Sequence, residues 1–127
     1  MYRIESKIVV NSPGFKKNRE DFLKILEEYR SNLEKVKYGA PQKAVERHKE
    51  MGKLLARERI DLLIDPNTPF LELSPMAAFG EYDNQFPSAG IITGIGVIHG
   101  REALIISNDA TVKGGTYVKE TIKKHVR

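Results

Sequence analysis

The sequence predicts a mixed helix and sheet domain of the α/β or α+β class, with its helices first and its strands later. Three observations predict it. Apolar residues recur at helical spacing up to Ile64, short apolar runs bounded by Gly and Pro follow from residue 70, and the last run leads through a glycine-rich turn into a new helical stripe. A length of 127 residues suits about one small domain.

Met1 to Val10 contains a short apolar patch, and Asn11-Ser-Pro-Gly14 is a turn cluster that separates this strand or arm from the remainder of the chain. With Asn18 as N-cap, Phe22, Ile25, Leu26, Tyr29, Leu33 and Val36 fall on one face of an amphipathic helix that stops at Gly39. Pro41 opens a second helix, whose stripe is Ala44, Val45, His48 and Met51 and whose stop is Gly52. Leu54 to Ile64 reads as a third helix ended by Asp65-Pro66. Residues 1–65 are therefore expected to be an N-terminal arm with helices, and residues 66–127 a second region where the sheet begins.

In that second region Phe70-Leu-Glu-Leu73 is short and partly alternating, an edge strand in a loop rich in Gly and Pro that reaches Gly90. Ile91 to Ile98 and Ala103 to Ile106, joined through His99-Gly-Arg-Glu102, predict a β-hairpin. The run Ala103 to Ile106 lacks polar alternation, so it is expected to be buried on both faces. Asn108 to Thr116 then leads into a helix starting near Thr116, with Val118, Ile122 and Val126 as its stripe. That helix is still periodic at Arg127, and the strands available cannot flank a buried one on both sides. Further structure is expected downstream or from another chain.

Composition narrows the function classes. Lys and Arg number 21 against 17 Asp and Glu, a net charge of +4, but the signs alternate through residues 16–61 as on solvated helix faces. Neither a basic face with interleaved aromatics nor a recognisable nucleic-acid module is visible, which argues against nucleic acid as partner. The absence of cysteine removes disulfide scaffolds, thiolate metal sites and cysteine nucleophiles. No signal-peptide pattern opens the chain, and the mostly apolar stretch Ala89 to Ile98 is too short to span a bilayer. The expectation is a cytoplasmic protein with no membrane partner.

His48, His99 and His125 lie far apart and form no metal-ligand spacing; they read as a semi-buried helix residue, a turn residue and a surface residue, with no metal site. Gly94-Ile-Gly96 with Gly100 has the wrong spacing for a dinucleotide loop, and its glycines, lying within strand signals, fit strand kinks or close packing. Lys113 precedes Gly114-Gly115 where a phosphate loop of the Walker type needs it to follow. The segment Asn108 to Thr116 differs from these, because it places two glycines and several free backbone N–H groups between a strand end and a helix start. Open sheets with helices bind ligands there. Its glycines let a ligand approach the backbone closely, and the helix start would favour a polarised carbonyl or a phosphate. A purely structural turn is the competing reading.

Two stretches weigh on that choice. His48-Lys-Glu-Met-Gly-Lys-Leu-Leu-Ala-Arg-Glu-Arg-Ile60, running on to Asp65-Pro66, and Ser88-Ala-Gly-Ile-Ile-Thr-Gly-Ile-Gly96, running on to Asn108-Asp-Ala-Thr-Val-Lys-Gly-Gly-Thr116, closely resemble the carboxyltransferase (β) subunits of biotin-dependent acyl-CoA carboxylases. The resemblance covers residues of about 20 to 127. Asn108 to Thr116 is more similar to the methylcrotonyl-CoA and geranyl-CoA branch than to the propionyl-CoA branch, where an Asp-Phe-Thr-Val-Phe-Gly-Gly pattern is usual.

The resemblance implies an incomplete crotonase-like fold, with residues 66–127 beginning its acyl-CoA carboxyltransferase N-domain. It implies transfer of a carboxyl group from carboxybiotin to a carbon acidified by an acyl-CoA thioester such as 3-methylcrotonyl-CoA. Biotin would be carried on a partner's carrier domain, its ureido group taking the proton, so that no side-chain base is required. Backbone N–H groups would stabilise the enolate. Ala110, Thr111, Val112, Lys113, Gly114 and Gly115 would form the first wall of the acyl-CoA site. The family's Asp-Ser-Gly-Gly segment has no counterpart before Arg127. The partners implied are acyl-CoA, a biotin carboxylase or carrier subunit, and the remainder of a carboxyltransferase or further copies. Two other readings stand beside this one: a non-catalytic interaction module, and hydrolysis or isomerisation of a CoA ester with Asp109 as the close acidic group.

Overall fold

Ser12 and Pro13 start the first helix earlier than Asn18 was expected to. Proline fits the first helical position because its missing N–H would have been unpaired there, and the Ser12 hydroxyl accepts a hydrogen bond from the Phe15 N–H at 3.2 Å. The expected turn cluster is thus a helix cap, and α1 runs over Pro13–Lys37. The computed structural model describes residues 6–37 and 40–127; the expected stop at Gly39 and part of the N-terminal arm lie outside them. Residues 6–9 form no strand. The chain divides into two compact units, one ending at Asn32 and the other running from Leu33 to Arg127. In the first, the α1 residues Phe22, Ile25 and Tyr29 are exposed.

The second unit carries the sheet. Its helices α2 (Gln42–Glu50) and α3 (Ala56–Leu63) lie close to their expected positions. Glu58 caps α3 by reaching back to the Leu55 N–H at 2.8 Å and also pairs with Lys49 of α2 at 3.2 Å; both contacts hold its carboxyl below the ordinary range. Strands β1 (Leu71–Leu73), β2 (Ile91–Ile98) and β3 (Arg101–Asn108) form an antiparallel sheet in the order β1-β2-β3, with Leu71 opposite Ile95 and Ile95 opposite Leu104. The hairpin is where the sequence placed it.

One face of this sheet is covered by α3, where Ala56 and Ile60 pack against Ile92 and Ile105 with Ile64, Phe70 and Ile98 around them. Arg57 and Glu72 tie α3 to β1 through two hydrogen bonds of 2.6 and 3.1 Å. Gly94 and Gly96 lie under this layer: a Cβ at Gly94 would stand 2.2 Å from the Phe70 ring and 2.7 Å from the Leu71 carbonyl. Of the two expectations for these glycines, strand kinks or close packing, the close approach of Phe70 and Ile64 supports the second.

The other face corrects an expectation. The strand buried on both sides, over its first half from Ile91 to Gly94, is β2, not the run Ala103 to Ile106, in which Ile105 is buried while Leu104 stays 66% and Ile106 47% exposed. Strand β3 lies at the sheet edge, and among the described residues no element covers Leu104. An unbroken apolar run shows that both faces could be buried, but it does not say that both are.

Helix α4 (Lys119–Val126) begins beyond Thr116, and a different face of it is buried from the one expected. Ile122 and Val126 are exposed, whereas Thr121 and Lys124 are 1% and 5% exposed. The cause is polar. The Thr121 hydroxyl donates to the Ala89 carbonyl at 2.7 Å, and the Lys124 ammonium donates to the carbonyls of Ile91 and Ser88 at 2.7 and 3.2 Å. These carbonyls lie at the turn into β2, where Ala89 and Gly90 both have positive φ, and buried acceptors need donors. Among the described residues, no helix is long and apolar enough to cross a membrane.

Candidate functional site

The stretch from Asn108 to Thr116 leaves the end of β3 and turns toward α4. Its start is pinned to the neighbouring strand entry, because the Asp109 N–H donates to the Gly90 carbonyl at 3.0 Å. Asp109 then closes a local turn. Its carboxylate accepts from the Thr111 N–H at 2.9 Å and from the Thr111 hydroxyl at 2.5 Å, while its carbonyl accepts from the Val112 N–H at 3.1 Å. This leaves Asp109 engaged as a structural acceptor, which weakens the reading that makes it an acid or base.

Thr111 and Val112 are buried, and Val112 packs against the turn at Gly90, where an added Cβ would lie 3.2 Å from it. Ala110, Lys113 and Gly114 face solvent, and Gly115 is half-buried. Lys113, Gly114 and Gly115 have φ of 45°, 64° and 85°, three consecutive residues in the left-handed region. Asn108 clamps the far side of this turn, its amide donating to the Gly115 carbonyl at 3.0 Å. A side chain at Gly115 would meet that amide at 2.8 Å and displace it, and the positive φ there already favours glycine.

The expectation of several free N–H groups is corrected in part. The Gly115 and Thr116 N–H groups are taken by the carbonyls of Val112 and Lys113 at 2.8 and 3.2 Å, and those of Thr111 and Val112 by Asp109. Among the described residues the N–H groups of Lys113 and Gly114 have no such acceptor. The start of α4 at Lys119 stands away from the loop, and the Val118 N–H is capped by the Thr121 hydroxyl at 3.1 Å.

Around the loop the structure gathers residues that sequence patterns did not single out. Tyr82 and Phe86 stack with ring centroids 4.7 Å apart, and the Lys113 ammonium lies 4.5 Å from the Phe86 centroid and 5.7 Å from that of Tyr82. The Tyr82 hydroxyl donates to Glu120 of α4, which lowers the Glu120 carboxyl and raises the Tyr82 phenol from their ordinary values. Asp109 and Thr111 also line a cavity of about 430 Å³ whose other wall is formed by residues of α2 and α3, including Val45 and Arg57. The turn propensity of Tyr82-Asp-Asn84 was a faint signal; its contact with Lys113 could not be seen in sequence. His48 is half-buried with Nε2 3.1 Å from the Leu54 carbonyl, His99 sits in the hairpin turn and His125 is exposed. Among the described residues no cluster of three or more His, Asp or Glu side chains could hold a metal ion.

The profile of the carboxyl transferase domain matches residues 47–127. The chain belongs to the carboxyl transferase domain family. It is 50% identical over 108 residues to the biotin-dependent 3-methylcrotonyl-coenzyme A carboxylase β1 subunit of Mycobacterium tuberculosis, covering 85% of this chain and 20% of that subunit. It is 52% identical over 117 residues to the mitochondrial methylcrotonoyl-CoA carboxylase β chain of Arabidopsis thaliana, covering 92% of this chain and 20% of that one. Among solved structures, the geranyl-CoA carboxylase β subunit of P. aeruginosa superposes with a TM-score of 0.82 at 37% identity over 97% of this chain and 23% of that one. The transcarboxylase 12S structure aligns with a TM-score of 0.66 at 30% identity, over 80% of this chain and 20% of its own.

The chain thus spans about a fifth of the length of the curated relatives it matches. Its helices and three antiparallel strands are part of the crotonase-like carboxyl transferase fold, as the resemblance implied. The first of these relatives is named as a subunit of a biotin-dependent acyl-CoA carboxylase, and the second as a β chain of a methylcrotonoyl-CoA carboxylase.

Proposed function

We propose that the chain supplies the first wall of the acyl-CoA site in a carboxyltransferase that moves a carboxyl group from carboxybiotin to an acyl-CoA such as 3-methylcrotonyl-CoA. Ala110, Thr111, Val112, Lys113, Gly114 and Gly115 are the lining residues. The observation that carries this reading is the left-handed turn at Lys113-Gly114-Gly115, whose first two N–H groups are spared by the loop's own carbonyls. Such amides are fixed donors for a thioester oxygen on which negative charge develops. Gly114 has open space where a Cβ would be, so a ligand can reach the backbone there.

Carboxybiotin enters as a co-substrate on a partner's carrier domain and supplies the carboxyl group together with a ureido proton acceptor. The chain's own residues bind and orient the acyl thioester. The partners in this reading are a biotin carboxylase or carrier subunit and the remainder of a carboxyltransferase or further copies, in the cytoplasm.

Titration of the 127-residue chain with an acyl-CoA, followed by backbone amide shifts, tests the site. Shifts centred on Asp109 to Gly115 are expected. Shifts that arise only on addition of a protein partner would overturn the site reading in favour of an interaction module. The chain alone is expected to carboxylate no acyl-CoA, because residues 1–127 hold one wall only.

A further inference from the structure

Lys113 and Lys124 are held in opposite ways. The Lys124 ammonium is buried and spends its donors on two carbonyls. Lys113 is exposed, and among the described residues it forms no ion pair with a carboxylate. Its ammonium lies over the stacked rings of Phe86 and Tyr82. An aromatic face attracts a cation without accepting its protons in strong hydrogen bonds or cancelling its charge, so the N–H donors stay available. The platform is itself firmly built. Phe86 is 3% exposed, the Tyr82 hydroxyl is anchored on Glu120, and the Asn84 side chain accepts from the Gly80 N–H at 2.7 Å. Tyr82, Asp83 and Asn84 all have positive φ, at 52°, 52° and 54°. Two left-handed turns, one at residues 82–84 and one at 113–115, therefore meet through a single lysine. Backbone held in this region persists only where the surroundings over-determine it, and such strain concentrates at ligand clamps.

We propose that Tyr82 and Phe86 are positioning residues that hold the Lys113 ammonium beside the 113–115 turn, and that this ammonium takes the phosphate end of the CoA ester. The proposal rests on the acyl-CoA reading above and assigns a separate part of the ligand. The thioester belongs to the spared amides, and the phosphates belong to Lys113.

The test compares CoA with pantetheine, which has the thiol arm but no phosphate, on the full chain, reading affinity and amide shifts. Wild type should bind CoA about tenfold tighter than pantetheine, the size of one charge-assisted phosphate contact. Lys113→Met should remove that preference, so that within this variant CoA binds no more tightly than pantetheine. Tyr82→Leu should remove several-fold of it, while Tyr82→Phe, which keeps the ring and loses the bond to Glu120, should retain it. Inorganic pyrophosphate should compete with CoA but not with pantetheine. An unchanged CoA preference in Lys113→Met, or equal preference in Tyr82→Leu and wild type, overturns the proposal while leaving the site in place. If neither ligand shifts Asp109 to Gly115, the acyl-CoA reading fails first and the proposal falls with it.

Discussion

On one face of the sheet Ile92, Ile98 and Ile105 lie beneath α3, sealed with Ala56, Ile60 and Phe70. On the opposite face Leu71, Ile95 and Leu104 make a cross-strand row of comparable side chains that stays 61%, 37% and 66% exposed. Helix α4 covers only the end of this second face, over Ile91 and Thr93. Similar residues thus stabilise the fold on one side and contribute little on the other. Apolar burial yields free energy in proportion to the apolar area withdrawn from water, so a side chain left exposed contributes little.

The strongest way to break this comparison is truncation. Ile60→Ala or Ile92→Ala should cost about 2–5 kcal/mol, whereas Leu104→Ala should cost less than about 1 kcal/mol. Urea denaturation midpoints measure both. Equal losses would mean that the second face is covered in solution.

A smaller effect is expected from Gly94→Ala, which tests the tightness of the covered face. The added methyl meets both the Phe70 ring and the Leu71 carbonyl, and the backbone contact cannot be relieved by a rotamer change. A loss of about 1–3 kcal/mol follows, and a neutral result would show that β1 can shift away from β2.

The smallest effect concerns the boundary where α4 meets the open face. Burial pushes the Lys124 ammonium down to about 8 from 10.5, with Glu72 opposing that fall and Arg57 adding to it. Above the folded value the native state has released a proton that the unfolded chain still binds, so this group makes stability rise with pH between about 8 and 10.5. Below about 8 both states carry the charge, and the full cost of burying it is present. Lys124→Met should flatten that rise relative to wild type. Parallel curves for the two proteins would show that the ammonium is solvated through the whole range.

Much of this fold was legible in the order of residues. The helices at 42–50 and 56–63, the short strand at 71–73 and the hairpin follow from period and punctuation, and the glycines of β2 from their place inside a strand. Burial was less legible. Ala103 to Ile106 reads as a core strand, and Val118, Ile122 and Val126 as a core stripe, because hydropathy records what a residue could bury and not what lies opposite it. Thr121 and Lys124 are buried for the carbonyls they serve, and those carbonyls are set by a turn some thirty residues upstream. The loop of residues 108–116 was visible as glycine between strand and helix, whereas its aromatic platform depends on a long-range contact that no local pattern encodes.

Asp65 has a consequence for how the strands find their alignment. Its carboxylate accepts from the His99 and Gly100 N–H groups at 2.7 Å each, which holds it below the ordinary acid range, and its own N–H donates to the Val97 carbonyl at 2.8 Å. A strand with one polar face resists slipping by a residue, because the slip would carry charge into the core. Strand β2, Ile91-Ile-Thr-Gly-Ile-Gly-Val-Ile98, carries no charge on either face and lacks that protection. A carboxylate hooked over the hairpin tip, together with a glycine that alone fits beneath Phe70, fixes the phase of the ladder by geometry where hydrophobicity leaves it undetermined.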